Sequence, residues 1–215
     1  MNYQKELDQI IEKLGNEKHR PKLLIHSCCA PCSSYVLEYL SAYFDITVFY
    51  YNPNIYPKEE YIRRVEEQSE LIRSMGLSAK VRFCQGNYDP QQYYQAVKGL
   101  EGEPEGGNRC FVCYELRLRE AAQLALAEGF EYFTTTLSIS PHKNADKLNE
   151  IGERLAAEYG ISYLPSDFKK KNGYKRSIEL SREYNLYRQD YCGCVYSVRN
   201  SEHSKNQGAE KPKDE

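Results

Sequence analysis

Three absences limit what this chain of 215 residues can be. It has no apolar run near the roughly 20 residues that a membrane-spanning helix needs. Its first segment, MNYQKELDQIIEKLG, is charged and amphipathic rather than a signal peptide. The net charge of -2 excludes a general attraction to nucleic acid or lipid, so such a partner would have to bind a local patch. We therefore expect a cytoplasmic protein with no membrane partner.

Cysteine, in contrast, is abundant and clustered. Seven of the eight cysteines lie in three short motifs: Cys28, Cys29 and Cys32; Cys110 and Cys113; Cys192 and Cys194. Structural disulfides are rare in the cytoplasm, so this pattern favours metal binding or redox catalysis. Cys84 stands alone on a predicted strand, where we expect a buried, small apolar side chain.

Apolar strand patterns alternate with amphipathic helix patterns along the chain. This alternation predicts an α/β fold with a doubly wound, mostly parallel sheet, Rossmann-like and related in layout to PP-loop and HUP domains, with a C-terminal helical or loop extension. We expect one metal-binding catalytic domain over residues 1–198. The polar segment 199–215 is predicted to be a disordered tail.

The first cysteine motif follows a predicted strand at residues 22–26 and is expected to precede a helix beginning at Ser33. Parallel sheets bind ligands beyond the carboxyl ends of their strands. The loops 28–32, 52–57 and 137–143 should therefore meet at one edge of the sheet. The Gly- and Ser-rich phosphate loop of nucleotide-activating enzymes is missing at the first turn, where cysteines stand in its place.

The cysteines themselves leave open which metal centre they build. One alternative is a structural zinc site with four sulfur ligands, but zinc ribbons place their two pairs in a compact hairpin. Here about eighty residues separate the first pair from the second, which suits an iron–sulfur cluster held on rigid elements. Seven sulfurs exceed the need of one cluster and indicate a second metal, a redox disulfide, or both. A disulfide across Cys192-Gly193-Cys194 would be strained and therefore labile, although both residues could instead be metal ligands.

Other polar residues near the expected site carry weaker hypotheses. We interpret His26 as a structural histidine with its hydrogen bonds satisfied. His142 is a candidate substrate contact or acid, and Asp190 with Tyr191 could donate or relay protons to the adjacent Cys192. A basic stretch predicted to be a loop is the first candidate for phosphate contact if the substrate is RNA; it comprises Lys169, Lys170, Lys171, Lys175 and Arg176.

Several motifs together resemble the QueH family of epoxyqueuosine reductases. They are L-L-I-H-S-C-C-A-P-C-S, F-Y-Y-N-P-N-I-Y-P, R-C-x-x-C-Y-x-x-R-L, T-T-T-L-S-I-S-P-H-K-N and Y-C-G-C-x-Y-S, in the order of the family, over roughly residues 22–197. The resemblance implies reduction of epoxyqueuosine to queuosine at the wobble position of tRNA, the last step of queuosine synthesis. It also implies a tRNA partner and an electron donor that the sequence does not identify.

The resemblance further implies the cofactors and the site residues. A four-iron, four-sulfur cluster would be held by Cys28, Cys29, Cys110 and Cys113, and Cys192 with Cys194 would form a redox-active pair. Cys32 would be a possible ligand of a separately bound second metal, an iron. Two other classes are weighed against this hypothesis: a nucleotide-activating, PP-loop-like tRNA modification enzyme, and a zinc-stabilised RNA-binding module without catalysis.

Overall fold

The computed structural model describes residues 2–15 and 19–197. Within that part of the chain, five parallel strands form one sheet in the order β3-β2-β1-β4-β5. The strands are β1 (Lys22–His26), β2 (Asp45–Tyr50), β3 (Val81–Gln85), β4 (Tyr132–Thr135) and β5 (Ser162–Tyr163). The chain starts at the centre, builds outward to β3 and then crosses to the other side, which confirms the doubly wound, Rossmann-like layout.

Helices cover the sheet on both faces. In the described chain they are α1 (Tyr3–Gly15), α2 (Ala30–Leu40), α3 (Lys58–Ser74), α4 (Pro90–Ala96), α5 (Asn108–Ala127), α6 (Ala145–Tyr159) and α7 (Gly173–Glu183). Leu23 and Ile25 of β1 pack into a core with α1, α2 and α3, whereas Leu24 packs into a second core with α5 and α6. Because both faces of β1 are buried, its sequence is a continuous apolar run rather than an alternating one.

The helix α2 begins three residues earlier than Ser33, the start that the sequence predicts. Cys29 has extended backbone angles and stands at the N-cap, and Pro31 occupies the first turn. Proline fits there because the first N–H groups of a helix have no partner within the helix. As a result, Cys32 lies on the helix, while Cys28 and Cys29 lie just before it.

The prediction of a basic loop is wrong in its second half. The helix α7 begins at Gly173, so Lys175 and Arg176 lie on a helix and not in a loop. A Cβ atom at Gly173 would lie 2.0 Å from the carbonyl oxygen of Phe168, so this close backbone approach needs glycine. The glycine thus marks a tight turn into a helix, although in the sequence it resembles part of a loop.

Three further points concern single predictions. Cys84 on β3 is half-buried, because the outer strand β3 is only partly covered, so the prediction of a buried side chain is wrong. The predicted disordered tail, 199–215, lies outside the described residues. In the segments 2–15 and 19–197, no helix combines the length and the apolar character that crossing a membrane requires.

Candidate metal and redox site

A cavity of about 610 Å³ opens at the carboxyl edge of the sheet. Its walls come from the loop after β1, the loop after β2, the loop after β4 and the C-terminal segment 188–192. The first three are the loops that the sequence places at one edge, and that prediction is confirmed. The fourth wall brings Cys192 to the same cavity as Cys28, Cys29 and Cys32.

Three sulfur atoms lie together at the start of α2. Those of Cys28, Cys29 and Cys32 are all within 4.8 Å of one another, and Cys28 Sγ lies 3.7 Å from Cys29 Sγ. In the described part of the chain, no other group of three or more histidine, cysteine or acidic side chains is close enough to share a metal ion. Thiolate is a soft ligand that suits zinc, copper(I) and iron–sulfur centres. These three residues could therefore bind a metal.

The local environment favours one thiolate in this group. Hydrogen bonds with the Cys29 and Cys32 thiols, assisted by the positive charge of Arg117, lower the pKa of the Cys28 thiol well below its ordinary value despite its burial. The hydrogen bond between Cys29 and Cys28 raises the pKa of Cys29 to about 12. The hydrogen bond between Cys32 and Cys28 likewise raises the pKa of Cys32. The group thus holds a thiolate at Cys28 that two neighbouring thiols stabilise.

The second cysteine pair lies in the first turns of α5. Cys113 is buried in a small apolar cluster with Cys194, Tyr93 and Val97, and burial raises its pKa to about 12. Cys110 is half-buried, and its sulfur accepts a hydrogen bond from the backbone N–H of Gly106 at 3.2 Å. Cys113 therefore packs beside Cys194 of the third cysteine pair. The binding of one iron–sulfur cluster by Cys110 and Cys113 together with Cys28 and Cys29 stays a prediction.

The Cys192–Cys194 segment is docked against the loop after β2. The backbone N–H of Tyr56 donates to the carbonyl oxygen of Gly193 at 2.8 Å, and Arg64 Nη1 donates to the carbonyl oxygen of Cys192 at 3.3 Å. The backbone N–H of Cys192 donates to Ser197 Oγ at 2.9 Å. Both sulfurs are free thiols in this structure. These bonds hold the segment across the cavity.

Three cations that the sequence analysis overlooked lie in the cavity wall: Arg64, Arg117 and Lys143. Both arginines are 1% exposed, although arginine is rarely buried. Helical spacing offered a signal for each of them, since Arg64 follows Tyr61 by three positions and Arg117 follows Cys113 by four. A charged side chain on the apolar face of a predicted helix was thus a candidate for the site.

Lys143 joins the C-terminal segment to the loop before α5. Its ammonium group lies 3.3 Å from a Glu105 carboxylate oxygen, and its side chain is 8% exposed. Burial alone lowers the pKa of Lys143, but the neighbouring Cys192 sulfur and the Glu105 carboxylate raise it above the ordinary value. Lys143 thus stays positively charged. Its neighbour His142 and the predicted acid Asp190 both line the cavity with exposed side chains.

His26 has the structural role that the sequence predicts. It is fully buried, and its Nε2 lies 3.0 Å from the carbonyl oxygen of Tyr51 while its Nδ1 lies 2.9 Å from Thr135 Oγ1. Because a carbonyl oxygen only accepts, Nε2 is the donor. Burial and the nearby Arg117 lower the pKa of His26 to about 3, so the ring is neutral and links β1 to the loop after β2 and to β4.

The basic residues predicted to contact RNA are largely engaged within the protein. Lys169 pairs with Asp167 at 2.7 Å and Lys171 with Asp8 at 2.7 Å. Arg176 pairs with Glu38 at 2.6 Å and lies near Glu179 and Glu183. Lys170 and Lys175 are exposed. Phosphate contact by this group stays a prediction, with the last two as the more available cations.

Comparison with known proteins identifies the family of this chain. A family model described as "Epoxyqueuosine reductase QueH" matches residues 23–200. The chain belongs to the QueH family. A protein named epoxyqueuosine reductase QueH from Streptococcus pyogenes serotype M1 is 47% identical over 201 residues, which cover 93% of this chain and 79% of that protein. The resemblance seen in the sequence motifs is thus confirmed.

Other QueH proteins match over a similar length. One from Staphylococcus epidermidis is 46% identical over 92% of this chain and 85% of its own. One from Thermotoga maritima is 37% identical over 82% of this chain and 90% of its own. All three carry the name epoxyqueuosine reductase, which is an oxidoreductase activity. The three cysteine motifs all lie within residues 23–200, the range that the family model matches.

Proposed function

We propose that this protein reduces epoxyqueuosine to queuosine at the wobble position of tRNA. The reaction removes the epoxide oxygen: two C–O bonds break, a C=C bond forms, and two electrons and two protons convert the oxygen to water. The observation that carries the proposal is the family match over residues 23–200. The cavity lined by cysteine thiols at the carboxyl edge of the sheet supplies a chemical site that agrees with that match.

In this proposal a four-iron, four-sulfur cluster is held by Cys28, Cys29, Cys110 and Cys113, and Cys32 contributes to a second, mononuclear iron. The support from the structure is limited to the start of α2, where the sulfurs of Cys28, Cys29 and Cys32 lie within 4.8 Å of one another and a buried cation is close to Cys28. The assignment of Cys110 and Cys113 to the cluster rests on the resemblance to the family. Such a group supplies electrons one at a time, and an iron with an open position can act as a Lewis acid.

Cys192 and Cys194 are proposed to be a redox-active pair that holds two electron equivalents between a dithiol and a disulfide. A pair of this kind complements a one-electron carrier, because the reaction needs two electrons. The support is positional, since Cys192 lines the cavity and Cys194 packs against Cys113. The electrons are proposed to come from an external electron donor, for which dithionite stands in during the test below.

The protons and the orientation of the substrate are assigned to residues of the cavity wall. Lys143 is a buried, charged hydrogen-bond donor beside Cys192, and we propose that it donates to the epoxide oxygen. His142 and Asp190 line the cavity with exposed side chains and are proposed to relay protons from solvent. On the surface, Lys169, Lys170, Lys171, Lys175 and Arg176 are proposed to contact tRNA phosphates. The compartment is proposed to be the cytoplasm, where thiols stay reduced.

The test is reduction of epoxyqueuosine-containing tRNA by anaerobically purified protein with dithionite. We expect a brown protein with iron and labile sulfide that forms queuosine, detected by mass spectrometry of the tRNA nucleosides. A protein with iron and sulfide that leaves the modified tRNA unchanged would contradict the substrate assignment. A colourless protein that contains zinc and no sulfide would favour the zinc-stabilised RNA-binding module instead.

The redox pair has its own test in Cys192→Ser and Cys194→Ser, with Cys84→Ser as the matched control. Each of the first two changes should abolish multiple turnover, since one sulfur alone cannot form the disulfide. Cys84 lies on β3 outside the cavity lining, so its replacement should preserve the rate. Full multiple turnover in both Cys192→Ser and Cys194→Ser would rule out an essential relay.

A further inference from the structure

Arg117 is a buried cation whose hydrogen-bond partners are uncharged. Its Nε donates to the carbonyl oxygen of Cys113 at 3.1 Å, and its Nη1 donates to Asn52 Oδ1 at 3.4 Å. Its Nη2 is buried and has no hydrogen-bond partner among the described residues. The side chain is 1% exposed and belongs to the cavity wall. A desolvated guanidinium in this setting is costly unless an anion compensates its charge.

Arg64, the other buried arginine in the cavity wall, has its positive charge compensated by a carboxylate. Arg64 is also 1% exposed, but its Nε donates to Glu60 Oε1 at 2.7 Å, so a carboxylate balances its charge. The two arginines line the same cavity. Arg117 therefore contributes a net positive charge to the site, whereas Arg64 with Glu60 contributes none.

Sulfurs of all three cysteine motifs lie near Arg117. Burial by itself lowers the pKa of Arg117, but its proximity to the sulfurs of Cys113, Cys192 and Cys28 outweighs that effect and raises it. Its two hydrogen bonds also connect the motifs mechanically. Asn52, which accepts from Arg117, donates through Nδ2 to the carbonyl oxygen of Ser27 at 2.8 Å, directly before Cys28. Arg117 thus bridges the start of α5 and the loop after β1.

We propose that Arg117 is the fixed counter-charge of the metal–thiolate group and raises its reduction potential. The inference rests on the proposed function, since it requires a redox-active metal group at these cysteines. Each electron that enters the group adds one negative charge, and a positive charge held in a medium of low dielectric stabilises the reduced state more than the oxidised state. Arg117 is in this sense a positioning and tuning residue and donates no proton.

The experiment compares Arg117→Gln and Arg117→Lys with wild type by redox titration monitored by electron paramagnetic resonance. Arg119→Gln is the matched control, because it removes one positive charge from the same helix where the side chain is 32% exposed and pairs with Glu115 and Glu158. Iron and labile sulfide are counted in each preparation. We expect Arg117→Gln to lower the midpoint potential by at least about 59 mV, which corresponds to a tenfold change in the equilibrium constant of a one-electron reduction.

Arg117→Lys should stay close to the wild-type potential because it keeps the charge, and Arg119→Gln should match wild type because solvent screens a surface charge. A loaded Arg117→Gln protein with an unchanged midpoint potential overturns the proposal, even if its Michaelis constant for tRNA rises. If Arg117→Gln fails to bind the metal group, rescue by Arg117→Lys supports the counter-charge, and failure of both overturns it. A wild-type protein without a redox-active metal group contradicts the proposed function itself.

Discussion

Residue 193 must be glycine for two separate reasons. Its φ of +104° lies in a region that residues with a Cβ atom rarely adopt. A Cβ atom there would also lie 3.0 Å from Arg64 Nη2. The spacer of the C-x-C motif therefore lets the backbone pass directly over a buried guanidinium group, and this contact sets where the two sulfurs lie.

We expect Gly193→Ala to cost about 1–3 kcal/mol in the free energy of unfolding, the usual range for a strained backbone position, and to lower the rate of tRNA reduction. The first effect is measured by thermal unfolding under reducing conditions and the second by single-turnover assay. Gly102→Ala is the control, because a Cβ atom at residue 102 meets nothing within 4 Å. Equal activity in Gly193→Ala and Gly102→Ala would show that the docked position of the C-x-C motif is unimportant.

At the scale of elements, the helix α6 is held tightly against the strand β5. A Cβ atom at Gly152 would lie 2.4 Å from ring atoms of Tyr163, and the Tyr163 ring itself packs edge-on against Phe133 of β4. The glycine allows the helix to approach a short strand at the edge of the sheet. The cavity depends on this packing indirectly, because the loop 137–143 that lines it connects β4 to α6.

Gly152→Ala should destabilise the protein by about 1–3 kcal/mol through overpacking, despite the better helix propensity of alanine. Denaturant unfolding measures this cost. The double variant Gly152→Ala with Tyr163→Leu should cost less than the sum of the two single changes, because the smaller side chain makes room for the added methyl group. Strict additivity of the two changes would show that the clash with Tyr163 is relieved in another way.

For the whole molecule, the site is assembled from segments far apart in the sequence. The cavity is lined by the loops after β1, β2 and β4 and by the C-terminal segment 188–192. A metal group bound by cysteines from more than one of these segments would link them, and binding to the folded state alone adds stability by mass action. Metal content and unfolding temperature should therefore be coupled.

Removal of the metal group from the purified protein with a chelator should lower the unfolding temperature by several degrees. Differential scanning calorimetry of the loaded and stripped protein measures the change. The variant Cys84→Ser, stripped in the same way, should show the same decrease, since Cys84 does not line the cavity. An unfolding temperature that is unchanged by stripping would contradict a metal group that links the segments.

Much of this architecture was predictable from the sequence. The strand Lys22–His26 has the predicted bounds, because its short apolar run begins and ends at polar residues. The start of α7 at Gly173 was not predictable. The turn before it depends on close contacts of Gly173 with the Phe168 backbone and the Tyr35 ring, and helical periodicity in the sequence does not reveal such contacts.

The candidate site was predictable in its cysteines but not in its cations. Clustered cysteines are rare enough to indicate chemistry by their spacing alone. Helical spacing relates Arg64 to Tyr61 and Arg117 to Cys113, but only the folded chain shows that these arginines and Lys143 are buried in the cavity wall. The burial of Arg64 and Arg117 depends on the tertiary packing of α3 and α5, which local periodicity does not specify.

The bond between Tyr56 and Gly193 also has a consequence for the order in which a ribosome makes this protein. The wall that carries Cys192 is synthesised about eighty residues after Cys113, and it docks onto a loop made much earlier. Until then the sulfurs of Cys28, Cys29 and Cys32 face an open edge of the nascent domain. Delivery of metal to these thiols can therefore precede completion of the chain, and translation itself then closes the site.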